Sequence, residues 1–170
     1  VVNKCDVEIG GSIYTPVLNS SGGLTTQAYV QGMFDLAPDE ALIYETTVPD
    51  KCIFWNIQLT DENWSTLDWV HRQTHLNGFL AKLDSDGKFR AVLSANDPGV
   101  PNWLDTMGYE KGVIFGRWTE CTSTPKPVVK KIKLAELRKH LPKDTKVVTA
   151  DERDVQIRLR RKGAQLRKRW

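Results

Sequence analysis

Asn56 and Gln58 stand two residues apart inside the run IFWNIQL, where a plain core strand would carry no carboxamide. In an extended chain, residues i and i+2 project to the same side, so both amides face one way while Trp55 and Ile57 face the other. A carboxamide offers two donors and an acceptor oxygen. A pair of them on one face can therefore read a ligand or hold a covering loop. A second constellation lies in NDPGVPNWLD, residues 96–105, where Asp97, Asn102, Trp103 and Asp105 sit in a segment stiffened by Pro98, Gly99 and Pro101. Loops on a rigid frame often carry binding groups, and Trp103 could wall a pocket. The structural alternative has Asp97 and Asp105 closing Asx turns while the indole plugs the end of the fold. Arg72, Arg90 and Arg117 add forked guanidinium groups, suited to a carboxylate or phosphate ligand and equally to pinning loops through Asp68, Asp97 or Asp105.

With Asn77, these considerations give a candidate ligand-binding set of Asn56, Gln58, Arg72, Asn77, Asp97, Asn102, Trp103, Asp105 and Arg117. No catalytic residue is assigned. A rival reading makes the chain a hydrolase or lyase for a small organic substrate, with Asp97 or Asp105 as acid/base. His71 and His75 are four apart, a zinc-compatible spacing on a helix, but the Glu of a zincin motif and a third ligand are missing. No metal is expected. Phosphate-loop, dinucleotide and nucleophile-elbow fingerprints are absent too, so no cofactor is expected.

The elements that must position these residues read mostly as strands. Residues 27–36 look extended, residues 37–40 (APDE) form a turn around Pro38, and residues 41–48 are rich in β-branched and aromatic side chains. Residues 53–59 alternate, with Ile53, Trp55, Ile57 and Leu59 on one face. Residues 64–76 fit an irregular crossing segment better than a helix. Residues 79–83 and 88–94 flank Asp84-Ser85-Asp86-Gly87 and predict a hairpin with Gly87 in the left-handed region, while residues 96–105 are expected to be irregular. Residues 112–118 form a further strand and residues 128–132 an edge piece guarded by lysines. Leu134, Leu137 and Leu141 predict a short helix. Thr149 and Glu152 match a capping box for a C-terminal helix with the stripe Val155, Leu159, Leu166 and Trp170. Short strands in series with helix only at the end predict a mainly β, antiparallel, jelly-roll-like β-sandwich with a helical, basic tail. The organisation read from this is an extended or linker segment (1–26), a sandwich core (27–121) and a basic connector with a helix (122–170).

A chain of 170 residues suffices for one domain with its own core. No apolar run approaches a membrane span. The formal net charge of +3 hides a split: residues 121–170 carry 16 Lys+Arg against 5 Asp+Glu, and the rest carry 8 against 16. The basic tail can meet the acidic body in the same chain or in a neighbour. Without a recognition module it argues weakly for nucleic acid. Cys5, Cys52 and Cys121 are odd in number, which leaves open one bridge with a free thiol or no bridge at all. The chain opens Val1-Val2-Asn3 without an initiator Met, as a processed chain or fragment would.

The pieces GMFDLAPDEAL, FWNIQL, W-S-x-L-D followed by R-Q-T, LNGF-x-AKLD-x-DG-x-FR, DPGVPNWLDT and GRW span about half of the chain. In them the sequence resembles the family called domain of unknown function 1214. The resemblance implies a jelly-roll-like sandwich. It also implies an upstream β-rich companion, domain of unknown function 1254, of which these residues hold no match, so an upstream domain or partner subunit is expected. The function read from all this is a binding or accessory domain with a polar, Trp-lined site or interdomain surface. The enzyme reading and an assembly module using the basic tail stand as alternatives.

Overall fold

A computed structural model describes residues 15–18, as a strand, and residues 26–167. Beyond that strand, most of the expected N-terminal linker lies outside the described residues, as do Cys5 and Trp170. The elements run β1 (Thr15–Leu18), β2 (Gln27–Asp35), β3 (Glu40–Thr46), β4 (Cys52–Thr60), β5 (His75–Asn77), β6 (Phe89–Ser94), β7 (Trp103–Asp105), β8 (Lys111–Cys121), β9 (Val128–Lys133), a 3-10 turn (Leu134–Lys139) and helix α1 (Ala150–Gln165). They form two facing sheets, one ordered β1-β2-β8-β4-β5 and the other β7-β6-β3-β9. The chain is a mainly β sandwich with one α-helix, C-terminal, among the described residues. Among the described residues all the ladders are antiparallel except that between β6 and β7.

Period-two patterning builds the interior. Ala28, Val30 and Phe34 from β2, Trp55, Ile57 and Leu59 from β4, and Ile114 and Trp118 from β8 meet Leu42, Tyr44, Phe89, Ala91 and Leu93 of the opposite sheet. Each large apolar side chain removed from water here contributes about 1.5–3 kcal/mol before entropy is charged against it. Strand β3 reads as almost continuously apolar because both its faces are covered. Its other face, with Ala41 and Ile43, packs with Val92, Val100, Trp103, Ile132, Leu137 and Leu141 under the 3-10 turn. A side chain at Gly112 would collide with the Thr60 carbonyl and the Phe34 ring, so only glycine lets β8 lie that close. Cys52 and Cys121, register partners on β4 and β8, are joined in a disulfide.

Four expectations are corrected. Ile53 does not share the buried face of Trp55; it is 73% exposed near the start of β4. Residues 79–83 do not form a strand: the turn at Gly87 is present with φ 78° and Leu83 bridges Phe89 across it, but residues 79–82 do not join a ladder. Instead the Asn102 carboxamide accepts from Lys82 N–H (2.9 Å) and donates to the Lys82 carbonyl (2.6 Å), standing in for a strand partner. Residues 103–105 are not irregular: past Pro101 the chain doubles back as β7, and Trp103 aligns with Val92 in parallel. The stripe on α1 is not its packing face, since Val155, Leu159 and Leu166 are 53%, 64% and 72% exposed. The helix itself begins as expected. Thr149 Oγ1 accepts from Glu152 N–H, and Glu152 accepts from Thr149 N–H, which closes the capping box.

Candidate functional site

The residues singled out from the sequence fall into three places. Asn56, Gln58 and Arg117 lie on the outer face of the five-stranded sheet, Asn56 in register with both Arg117 and Asn77. The Asn56 amide donates to Gln58 Oε1 at 3.4 Å, while Asn56 Oδ1 and Arg117 Nε are buried without a partner among the described residues. The Arg117 guanidinium lies 5.0 Å from the centre of the Phe115 ring. No hydrogen bond joins this face to residues 96–105 among the described residues.

The second place is a polar network around the 96–105 loop. Arg72 Nε donates to Asp105 Oδ2 at 2.6 Å, and Met107 N–H donates to Asp105 Oδ1 at 2.7 Å. That pairing holds the Arg72 guanidinium above its usual pKa. Asp97 accepts from Gly99 N–H (2.8 Å) and from Arg153 Nε (2.8 Å). Trp103 is buried, donates its indole N–H to the Ser94 carbonyl at 3.1 Å, and has the Arg153 guanidinium 5.3 Å from its ring centre. Arg90, weighed only as an anion binder or a pin, is surrounded by Glu45, Asp84 and Asp86.

The third place is a groove of about 1230 Å³ between α1 and the sandwich. Of the sequence-derived candidates, Asn77 and Asn102 line it. Asn77 Oδ1 accepts from Phe79 N–H and Leu80 N–H, an Asx turn that throws Phe79 out to 90% exposure at the groove wall. Asn102 holds its opposite side through Lys82 and through the Arg90 carbonyl, to which it donates at 2.8 Å. Leu80, Leu83, Val100 and Leu159 supply apolar lining.

Sequence reasoning missed the residues that build this groove from the helix side. Arg153 is 6% exposed and anchors α1: its guanidinium reaches Asp97, Gln73 Oε1, Gln156 Oε1 and the Val100 carbonyl. Gln73, also buried, turns its amide N–H toward the carbonyls of Trp103 (2.7 Å) and Pro101 (3.1 Å). Beyond Arg153, at successive turns, Gln156, Arg160, Gly163 and, just past the helix end, Arg167 line the groove. Their 3-4-3-4 spacing from Arg153 marks one helical face and was legible as a signal, but polar and small residues are not what a docking stripe usually contains.

At one end of the groove, Arg160 donates to His75 Nδ1 at 2.8 Å and to the His75 carbonyl at 3.1 Å. His75 Nδ1 therefore accepts, and the proton of the neutral ring sits on Nε2. Burial, and behind it the charges of Arg160 and Arg167, push the imidazole from 6.5 down to about 4. Burial, and then Arg153, lower the Arg160 guanidinium from 12.5 to about 10, so it stays charged at neutral pH. Trp69 stands edge-on to His75 at 6.0 Å, with Arg167 5.1 Å from its own ring centre. Among the described residues no group of His, Cys, Asp and Glu is placed to hold a metal ion. No described helix is long and apolar enough to cross a membrane.

Among solved structures the chain is similar to an uncharacterised protein from Burkholderia cenocepacia, with 35% identity and a TM-score of 0.68, over 72% of this chain and 35% of that one. It is also similar to a protein from Vibrio parahaemolyticus at 20% identity and a TM-score of 0.52, over 64% of this chain and 31% of that one, which speaks for the fold alone. The chain thus spans about a third of the length of these structures. No family model matches the chain, and no curated protein does.

Proposed function

We propose that this chain is a ligand-binding β-sandwich domain whose site is the groove between α1 and the loops at residues 77–85 and 99–102. The observation that carries the reading is the groove itself: about 1230 Å³ of space with apolar walls and a few convergent polar groups, Asn77, Asn102, His75 and Arg160. That combination is what small-molecule sites generally show. The sequence resemblance to domain of unknown function 1214 belongs to the same proposal, supported by the motifs GMFDLAPDEAL, LNGF and DPGVPNWLDT.

Gly163 provides the test. It lines the groove, and a Cβ built there meets nothing within 4 Å. Gly163→Phe therefore fills the site without disturbing the frame, and it removes a helix-interior glycine that costs about 0.5–1 kcal/mol. With Nile red as a neutral apolar probe, the native chain shows saturable fluorescence enhancement. Gly163→Phe loses that enhancement while its thermal midpoint stays level or rises. Equal dye binding by both proteins refutes the groove as the site.

The 90% exposure of Phe79 favours a second reading, in which another domain or subunit covers the groove mouth. In that case Phe79→Lys leaves Nile red binding intact and abolishes association with the covering partner.

A further inference from the structure

We infer that the ligand of this groove is an amphipathic organic anion, with a carboxylate-type head at the Arg160 end and an apolar body along Leu80, Leu83 and Leu159. The inference rests on the groove being the binding site. Its support is the way charge is distributed along the lining.

Of the five cations of the lining, Arg90 and Lys146 are already neutralised. Arg90 has its three carboxylates, and Lys146 pairs with Glu152 at 2.9 Å. Arg160 and Arg167 differ, as does Lys82 on the opposite wall: among the described residues none of them has a carboxylate within ion-pair distance. Arg160 is half-buried and spends its N–H groups on a neutral imidazole and a backbone carbonyl. Arg167 faces the Trp69 ring. Desolvating a guanidinium without a counter-charge is unfavourable, as the lowered pKa of Arg160 reflects, and a bound anion would reverse that cost. The acids of the lining, Asp84 and Asp144, lie elsewhere. Asp84 is held by Arg90 at 2.7 Å and accepts from Thr145 Oγ1 at 3.4 Å, next to Asp144 in the chain.

Geometry fits a forked contact. Arg160 sits on α1 and Arg167 just past its C-cap, seven residues on, and both converge on the His75–Trp69 pair. A guanidinium there can take a planar carboxylate by two N–H groups, and Arg167 can leave the indole face to share it. The apolar body then covers Leu80, Leu83 and Leu159, which are 37%, 52% and 64% exposed. A neutral ligand would leave the two charges unmatched, and a cationic one would be repelled.

The experiment is displacement of Nile red from the full chain by decanoate, decanol and decyltrimethylammonium, each below its aggregation threshold. Decanoate is expected to bind at least about 10-fold more tightly than decanol, the scale of one charge-assisted contact, and the ammonium more weakly still. Arg160→Gln should abolish the preference for decanoate while leaving decanol affinity unchanged, and Gly163→Phe should abolish binding of all three. If decanol or the ammonium binds as well as decanoate, the anion inference falls while the groove remains the site. If decanoate binding survives Gly163→Phe, the groove reading itself falls. Circular dichroism of each variant separates misfolding from lost binding, because a native spectrum with an unchanged decanoate preference in Arg160→Gln also overturns the inference.

Discussion

Two arginines of one helix, Arg153 and Arg160, occupy opposite situations. Arg153 is 6% exposed and fully matched, with Asp97, two glutamine oxygens and a carbonyl around its guanidinium. Arg160, two turns on, is half-buried and matched only by a neutral ring and a carbonyl. At Arg153 the molecule holds its shape; at Arg160 it has capacity to spare. A buried charge with its counter-charge locks a helix to a loop, whereas a half-buried charge without one waits for a partner.

The largest effect should come from Arg153→Ala. It strands Asp97, Gln73 and the Val100 carbonyl together and should cost about 3–5 kcal/mol, read from urea unfolding. A loss below about 1 kcal/mol would mean that α1 is held by something other than this network. Asn102→Ala comes next. It removes the three hydrogen bonds that tie residue 82 and Arg90 to β7 and should cost about 1–3 kcal/mol, with faster amide exchange at Lys82. Arg160→Gln should cost only about 1 kcal/mol or less, because it removes a charge the fold desolvates without neutralising. A larger cost would erase the contrast between the two arginines.

The smallest effect is a pH dependence. His75 faces Arg160 and Arg167 from α1, Trp69 from the crossing segment, and Gln58 across the β4–β5 ladder. Its folded pKa is depressed from 6.5 to about 4, so the unfolded chain binds more protons between those values. The contribution of neutral His75 is complete above pH 6.5 and is lost as pH falls toward 4. Thermal midpoints measured across that window should decline with acid, and His75→Asn should flatten the decline. Arg160→Gln should narrow the window from its acid end, since it removes one cause of the depression of the folded pKa.

Much of the frame was legible because its determinants are local. Alternation placed Trp55, Ile57 and Leu59 toward the core, Pro38 marked the turn before β3, and Thr149 with Glu152 fixed where α1 begins. The candidate site was legible only in part. Asn77 and Asn102 do line the groove, but Asn56 and Gln58, although in ladder register with Asn77 and His75, lie outside its lining, as does Arg117. Asp97 and Asp105 are engaged by Arg153 and Arg72. Residue type announced polar groups worth noticing without saying which of them would meet.

By itself, then, the sequence determined a mainly β sandwich with a capped, basic C-terminal helix, since period-two patterning and capping act over a few residues. The tertiary structure alone decided that β7 would run parallel to β6, that Asn102 would replace a strand at Lys82, and that α1 would dock by its arginines rather than its leucines. The reason for the last is a carboxylate 56 residues earlier in the chain: Asp97 gives Arg153 a counter-charge, so this arginine can be buried against the loop while the leucines stay exposed. That docking leaves Arg160, Gly163 and Arg167 lining an open groove.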